Sequence, residues 1–130
     1  MTTVSAPIAT VEQFKRALLS LRDKGLPETH LTMLKAQAKA EGGMITSTKL
    51  AEVAGYENYN AANLQYGTLG FNLGAFIDYA PPKRKNGTLK WWTVLSYSTD
   101  GNSEPETGHF QFVMRPELLS ALQEMKWVRP

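Results

Sequence analysis

The chain has 130 residues, of which 42% are hydrophobic and 20% charged, values typical of one soluble globular domain. A chain of this length buries a core without metal or disulfide staples, and the absence of cysteine excludes disulfide and thiolate chemistry. No stretch approaches the roughly 20 apolar residues of a membrane-spanning helix, and the first ten residues lack the apolar run of a signal peptide. The sequence therefore predicts a cytoplasmic protein without a membrane segment.

Charge is nearly balanced but unevenly distributed. Basic residues number 14 and acidic residues 12, and a net charge of +2 does not by itself indicate nucleic-acid binding, which needs a basic patch. Residues 83–90, called the basic loop below, contain Lys83, Arg84, Lys85 and Lys90 and no acidic residue. Residues 100–106, the acidic loop, contain Asp100, Glu104 and Glu106 and no basic residue.

Two helices are predicted near the N-terminus. Thr10 and Gln13 match a capping box, and apolar residues then recur at helical spacing, which predicts a helix over 11–24. A second helix follows and carries Lys35 and Lys39 one turn apart on its flank. Lysines at this spacing are more typical of a solvated face than of a binding site.

The most informative segment, residues 46–79, has the pattern of a helix-turn-helix. Ser47 or Thr48 is expected to cap a short helix that ends at Gly55, because glycine readily adopts the left-handed conformation. Asn58 is then expected to cap a longer helix. In such a unit the first helix supports the second against its target.

The longer helix, predicted over residues 59–77, has two unlike faces. The face expected in the core consists of Ala62, Tyr66, Leu69, Leu73, Phe76 and Ile77. The opposite face begins with Tyr59, Asn60 and Asn63 and continues as Gly67, Gly70 and Gly74. Glycine inside a helix costs about 1 kcal/mol relative to alanine, so this ridge indicates either close approach of another backbone or a break in the helix.

The last third of the chain predicts a hairpin and a helix. Residues 89–97 and 109–114 have strand-like composition, and residues 98–108 between them are polar and rich in turn formers. One of Trp91 and Trp92 is expected to be core. Pro116 is expected to begin the final helix.

These elements together predict an α+β fold of winged helix-turn-helix type, with four to five helices and the hairpin as the wing. The predicted domain covers residues 10–130 and follows a flexible segment at residues 1–9.

Two stretches, LAEVAGYENYNAANLQYGTLG and VMRPELLSALQEMKWV, carry a family resemblance. They contain the Gly55-Tyr56 turn, a helix with Asn63, Tyr66, Gly67 and Leu69, and the strand-to-helix junction at residues 112–117. Over residues 50–128 the chain resembles winged helix-turn-helix modules found N-terminal in bacterial HNH-type restriction endonucleases and related uncharacterised proteins. The resemblance implies DNA contact and a link to restriction or phage defence. It does not imply nuclease activity, since an HNH centre needs paired histidines with an asparagine and acidic neighbours to hold a metal, and the chain has only His30 and His109.

The predicted DNA interface combines amides with cations. Amide side chains pair with adenine, and tyrosine contacts phosphate. Lys49 is the one basic residue of segment 46–79, so the basic loop would have to neutralise phosphates. The residues expected to face bases are Tyr59, Asn60 and Asn63, and those expected to hold phosphates are Lys49, Lys83, Arg84, Lys85 and Lys90. The plainer interpretation is that the amides cap the helix or are solvated.

A protein-binding module is the rival function. The acidic loop (Asp100, Glu104, Glu106) would repel DNA at a wing tip and would suit a basic protein partner, as in a small phage-type inhibitor of a host nuclease. It is also typical of a loop that only confers solubility. His30, expected to be exposed, and His109 have no second ligand at metal spacing, and no phosphate-binding loop or nucleophile elbow is present. The sequence therefore predicts neither enzymatic activity nor a cofactor.

Overall fold

The computed structural model describes residues 7–98 and 110–129. In these ranges the chain forms five α-helices, three β-strands and two short 3-10 helices. The α-helices are α1 (Val11–Gly25), α2 (Glu28–Lys39), α3 (Ser47–Ala54), α4 (Tyr59–Gly74) and α5 (Pro116–Glu124). The strands are β1 (Met44–Thr46), β2 (Ser96–Ser98) and β3 (Gln111–Met114), and the 3-10 helices span Glu41–Gly43 and Trp91–Val94. The predicted α+β class is confirmed.

The three strands form one small antiparallel sheet with β3 in the centre, in the order β1-β3-β2. Ile45 of β1 lies opposite Phe112, and Tyr97 of β2 lies opposite Val113. From α2 onward the chain runs helix, strand, helix, helix, strand, strand, an order consistent with a winged helix. The predicted wing tip, the acidic loop and His109 lie outside the described residues, as do residues 1–6 of the predicted N-terminal segment.

The core lies where the helices pack on the sheet. The ring of Tyr66 from α4 lies 4.5 Å from the ring of Phe112 in β3, measured between centroids. The Trp92 ring also contacts Phe112, at 5.5 Å, and this tryptophan is buried whereas Trp91 is half-buried. The prediction that one of the two tryptophans is core is therefore confirmed.

A buried polar cluster joins α2, α4 and β2. The Tyr66 hydroxyl donates to Oε1 of Gln37 at 2.6 Å and lies 2.6 Å from Oγ of Ser96. Nε2 of Gln37 donates to the same Ser96 oxygen at 2.9 Å. All three side chains are buried, and each satisfies hydrogen-bonding groups of the others, which offsets the cost of removing them from water.

The ends of the helix-turn-helix are only partly as predicted. Gly55 closes α3 in the left-handed region at a φ of 79°, and the Asn58 side chain accepts a hydrogen bond from the backbone of Ala61. The cap of α3, however, is Thr46, whose side chain accepts from the backbone N–H of Lys49. The prediction of Ser47 or Thr48 was wrong because both residues lie inside the first turn of α3, and Ser47 is buried and donates to Asn63 of α4.

The glycines of α4 allow close approach of another segment. A Cβ on Gly70 would lie 2.1 Å from the carbonyl oxygen of Trp91, and one on Gly74 would lie 2.9 Å from the Trp91 ring. A Cβ on Gly67 would meet nothing within 4 Å. Since α4 runs unbroken to Gly74, close approach is the correct alternative and the break is not.

The helix predicted over residues 59–77 ends earlier in the structure, at Gly74. Residues 75–77 form a tight turn in which Phe76 N–H bonds to Leu73 and Ile77 N–H bonds to Gly74. Phe76 is 40% exposed, so its assignment to the core was wrong, whereas Ile77 packs against the core.

The strand predicted over residues 89–97 is mostly replaced by a 3-10 helix, and only its end pairs in the sheet as β2. The reason is tertiary. Trp91 packs closely on the glycines of α4, and the carbonyl oxygen of Thr93 accepts from Nε of Arg115 at 2.8 Å instead of from a neighbouring strand.

None of the helices in residues 7–98 and 110–129 combines the length and apolar character needed to cross a membrane.

Candidate nucleic-acid interface

The basic loop lies along the outer face of α4. A groove of about 270 Å³ separates the two segments. Its lining consists of Asn63, Leu64, Gly67, Thr68, Phe71, Arg84, Leu89 and Trp91. The fold thus brings the loop expected to supply positive charge to the helix that lacks it.

The basic loop has a defined backbone conformation. Its two arms pair at Lys83 and Leu89, and the Arg84 N–H donates to the carbonyl of Thr88 at 2.7 Å. Gly87 lies at a φ of 89°, which glycine adopts without strain. A preformed loop loses less conformational entropy on binding than a mobile one.

The cations of this loop face different surroundings. Nη1 of Arg84 donates to the carbonyl of Leu89 at 2.8 Å, so this guanidinium is held against the wall of the groove. Lys83 and Lys85 are exposed, and Lys90 is half-buried. Lys83 and Lys85 are therefore the members of the loop with the freest access to a phosphate.

The three residues of α4 that were predicted to face bases differ in their exposure to solvent. Asn60 is exposed, whereas Tyr59 and Asn63 are half-buried. Oδ1 of Asn63 accepts from the hydroxyl of Ser47 at 2.6 Å, which ties α3 to α4. Asn63 therefore contributes to the helix-helix contact as well as lining the groove.

Of the predicted site residues, Asn63 and Arg84 line this groove. Its lining does not include Tyr59, Asn60, Lys83, Lys85 and Lys90, although they belong to the same two segments. Lys49 lies on a different surface. Its ammonium lies 3.6 Å from a carboxylate oxygen of Glu52, one turn along α3. It lines a different groove, between α2, β1 and α3, together with Lys39 and Met44.

Two apolar residues of the interface were missed in the sequence. Leu64 is 69% exposed and Phe71 is 52% exposed, and the Phe71 ring meets the Trp91 ring edge-on at 5.0 Å. They lie seven residues apart, with Gly67 between them on the same stripe of the helix. The sequence did contain a signal for this exposed apolar pair, because two large apolar residues seven residues apart lie on the face of the helix opposite the core.

The side chains of His30 and Gln65 contact each other between α2 and α4. His30 is 2% exposed, which corrects its expected exposure, and its Nε2 lies 2.8 Å from Oε1 of Gln65. The first turn of α2 packs against α4 here, so the histidine cannot face solvent.

Arg115, in the strand-to-helix junction, is also tied to the structure. Its Nε donates to Thr93, and its guanidinium lies 5.9 Å from the centre of the Tyr79 ring. Burial lowers the pKa of this guanidinium from its ordinary value. These contacts give the arginine a packing role.

Within residues 7–98 and 110–129, no three histidine, aspartate or glutamate side chains gather as a metal site would require.

Comparisons with protein families, curated proteins and solved structures find no match to this chain. The resemblance to modules of restriction endonucleases therefore stays a prediction.

Proposed function

We propose that this protein is a non-catalytic DNA-binding module of winged-helix type, acting in the cytoplasm. The observation that supports it best is the placement of the basic loop along α4, with Arg84 and Asn63 lining one groove. In this proposal α4 enters the major groove, and the basic loop neutralises the phosphates beside it.

The roles of the side chains follow from their exposure. Asn60 reads a base edge, since an amide pairs bidentately with adenine. Leu64, the most exposed apolar residue of the helix, makes apolar contact with a thymine methyl group. Lys83 and Lys85 contact phosphates as point charges.

The dependence of binding on base sequence or modification, and a role in restriction or phage defence, rest on the family resemblance. They form part of the proposal as its biological setting.

A salt titration of DNA binding tests the proposal. Fluorescence anisotropy with duplexes of random sequence is compared for the wild type, Lys83→Glu/Lys85→Glu and the control Arg16→Glu/Lys24→Glu, which changes the net charge equally on the exposed surface of α1. We expect the loop variant to bind at least about tenfold more weakly and its slope of log K against log salt to fall by about 1.8, the value for two lost phosphate contacts.

Two results would contradict the proposal. One is the absence of duplex binding by the wild type at low salt. The other is an equal loss of affinity in the α1 control, which would show that only net charge matters.

A protein-binding function is the second candidate, and the exposure of Leu64 and Phe71 favours it. Large apolar side chains beside a groove are typical of the centre of a protein interface. In that case Leu64→Asp would abolish capture of the partner, and binding would depend little on salt. The acidic loop proposed for a basic partner lies outside the described residues.

A further inference from the structure

A second cationic surface lies where α1, α2 and the segment after α5 meet. Two adjoining grooves, of about 330 and 460 Å³, share Lys35, Lys126 and Trp127 as lining residues. Arg22, Leu26 and Leu31 complete the first groove, and Lys39 and Arg129 extend the second. Together they are called the α2–C-terminal groove below.

Most cations of this surface make no ion pair with a carboxylate of the described residues. Neither groove is lined by an acidic residue. Within the described residues, the ion pairs of the protein involve none of Lys35, Lys39, Lys126 and Arg129. Arg22 differs, because its guanidinium lies 3.2 Å from a carboxylate oxygen of Asp23. Lys35, Lys39, Lys126 and Arg129 are therefore four lining cations without an ion pair in the described residues.

The turn that follows α5 holds two of the lining residues in place. Lys126 has a φ of 63°, the one left-handed conformation of a non-glycine residue in the described ranges. Its N–H donates to Gln123, and the N–H of Trp127 donates to Leu122, both at 3.0 Å. This is the usual left-handed ending of an α-helix, and it fixes where Lys126 and Trp127 lie relative to α5.

The floor of the surface is apolar. Leu26, Leu31 and Trp127 are half-buried, and Leu26 and Trp127 pack against the core. All three line the same groove as Arg22, Lys35 and Lys126. An aromatic ring bordered by lysines in a concave surface is the arrangement that proteins use to bind unpaired nucleotides, with phosphates on the cations and a base on the ring.

We propose that the α2–C-terminal groove binds a single strand of nucleic acid. Lys35, Lys39, Lys126 and Arg129 contact successive phosphates, and Trp127 stacks on an unpaired base. A duplex offers no free base face to the indole, so single strands bind this surface in preference to duplexes. The groove shares no lining residue with the groove between α4 and the basic loop, so this activity is separate from the duplex binding proposed above.

Binding of a labelled thymidine oligonucleotide tests the assignment. Anisotropy titrations compare the wild type with Lys39→Glu/Arg129→Glu, two exposed residues, and with the equal-charge control Arg16→Glu/Lys24→Glu. We expect at least about a tenfold loss in the groove variant and a fall of about 1.4 in the salt slope, the value for two single-strand phosphate contacts. The α1 control is expected to lose less than threefold, about the change that a general charge effect produces. Circular dichroism of each variant checks that the fold is retained.

Trp127→Phe supplies an independent readout. The oligonucleotide should quench the intrinsic fluorescence of the wild type, and this quenching should largely disappear in Trp127→Phe, while the affinity stays within about threefold because phenylalanine also stacks. Quenching that persists in this variant would overturn the role of Trp127.

Three further outcomes would overturn the proposal. They are wild-type affinity in Lys39→Glu/Arg129→Glu, equal competition by a duplex of the same length, and equal competition by polyglutamate, which would identify an acidic-peptide site. Lys83→Glu/Lys85→Glu separates the two proposals, since it should weaken duplex binding and leave single-strand binding intact.

Discussion

At the scale of single residues, the three glycines on one ridge of α4 have different roles. Gly70 lies under the backbone of Trp91, and Gly74 lies under its ring, so neither position has room for a side chain. Gly67 faces open space at the groove beside the basic loop. Packing therefore requires glycine at positions 70 and 74. At position 67 glycine only lowers the stability of the helix.

Gly70→Ala should lower the free energy of unfolding by about 2–3 kcal/mol, because the new methyl group would overlap the Trp91 carbonyl and displace the backbone. Gly67→Ala is the matched control and should raise it by up to about 1 kcal/mol through helix propensity. Urea denaturation measures both. Equal effects of the two substitutions would contradict the packing argument.

At the scale of elements, the consecutive helices α3 and α4 depend on their N-terminal caps. Helix α4 begins with the Asn58 side chain accepting the N–H of Ala61, and α3 begins with Thr46 accepting from Lys49. A cap satisfies a backbone donor that the first turn of a helix leaves without a partner. The start of α4 is also where Asn60 is exposed for the proposed base contact.

Asn58→Ala should lower the free energy of unfolding by about 1 kcal/mol, the usual cost of losing an N-cap. Asn60→Ala, two residues further on, should leave stability within about 0.5 kcal/mol or raise it slightly, since alanine favours helix. Thermal unfolding followed by circular dichroism compares them. For DNA affinity we expect the opposite order, in which Asn60→Ala weakens binding more than Asn58→Ala does. A loss of affinity confined to Asn58→Ala would exclude Asn60 as a base contact.

At the scale of the whole molecule, the cluster of Gln37, Tyr66 and Ser96 connects two helices with the sheet through one buried hydroxyl. Burial raises the pKa of the Tyr66 phenol above its ordinary value. The unfolded chain releases this proton near pH 10, whereas the folded protein keeps it to higher pH. The native state then binds more protons than the unfolded state, so stability falls as pH rises above about 10.

Wild-type protein should therefore lose stability above about pH 10 more steeply than Tyr66→Phe, by up to about 1.4 kcal/mol per pH unit from this group. At neutral pH the same substitution should cost about 1–3 kcal/mol, since it removes the donor to Gln37. Denaturation curves across this pH range measure both effects. Parallel pH profiles for the two proteins would show that Tyr66 is not the responsible group.

The sequence by itself determined most features that depend on neighbours along the chain, although the cap of α3 is Thr46 and not Ser47 or Thr48. The Thr10–Gln13 capping box, the Gly55 turn and the Asn58 cap were all predicted because each involves groups within about four residues. Apolar periodicity likewise indicated the α+β class, because the period of an element reflects the face that it buries.

Only the tertiary structure decided what depends on distant segments. The 3-10 helix at Trp91–Val94 replaces a predicted strand because α4 and Arg115 supply its contacts, and His30 is buried because Gln65 lies opposite. The candidate sites belong to the same class. Lys35 and Lys39 were typical of a solvated face until the fold placed Lys126 and Arg129 beside them. The charge density of a surface depends on which distant segments pack side by side there, and a local sequence pattern does not specify such packing.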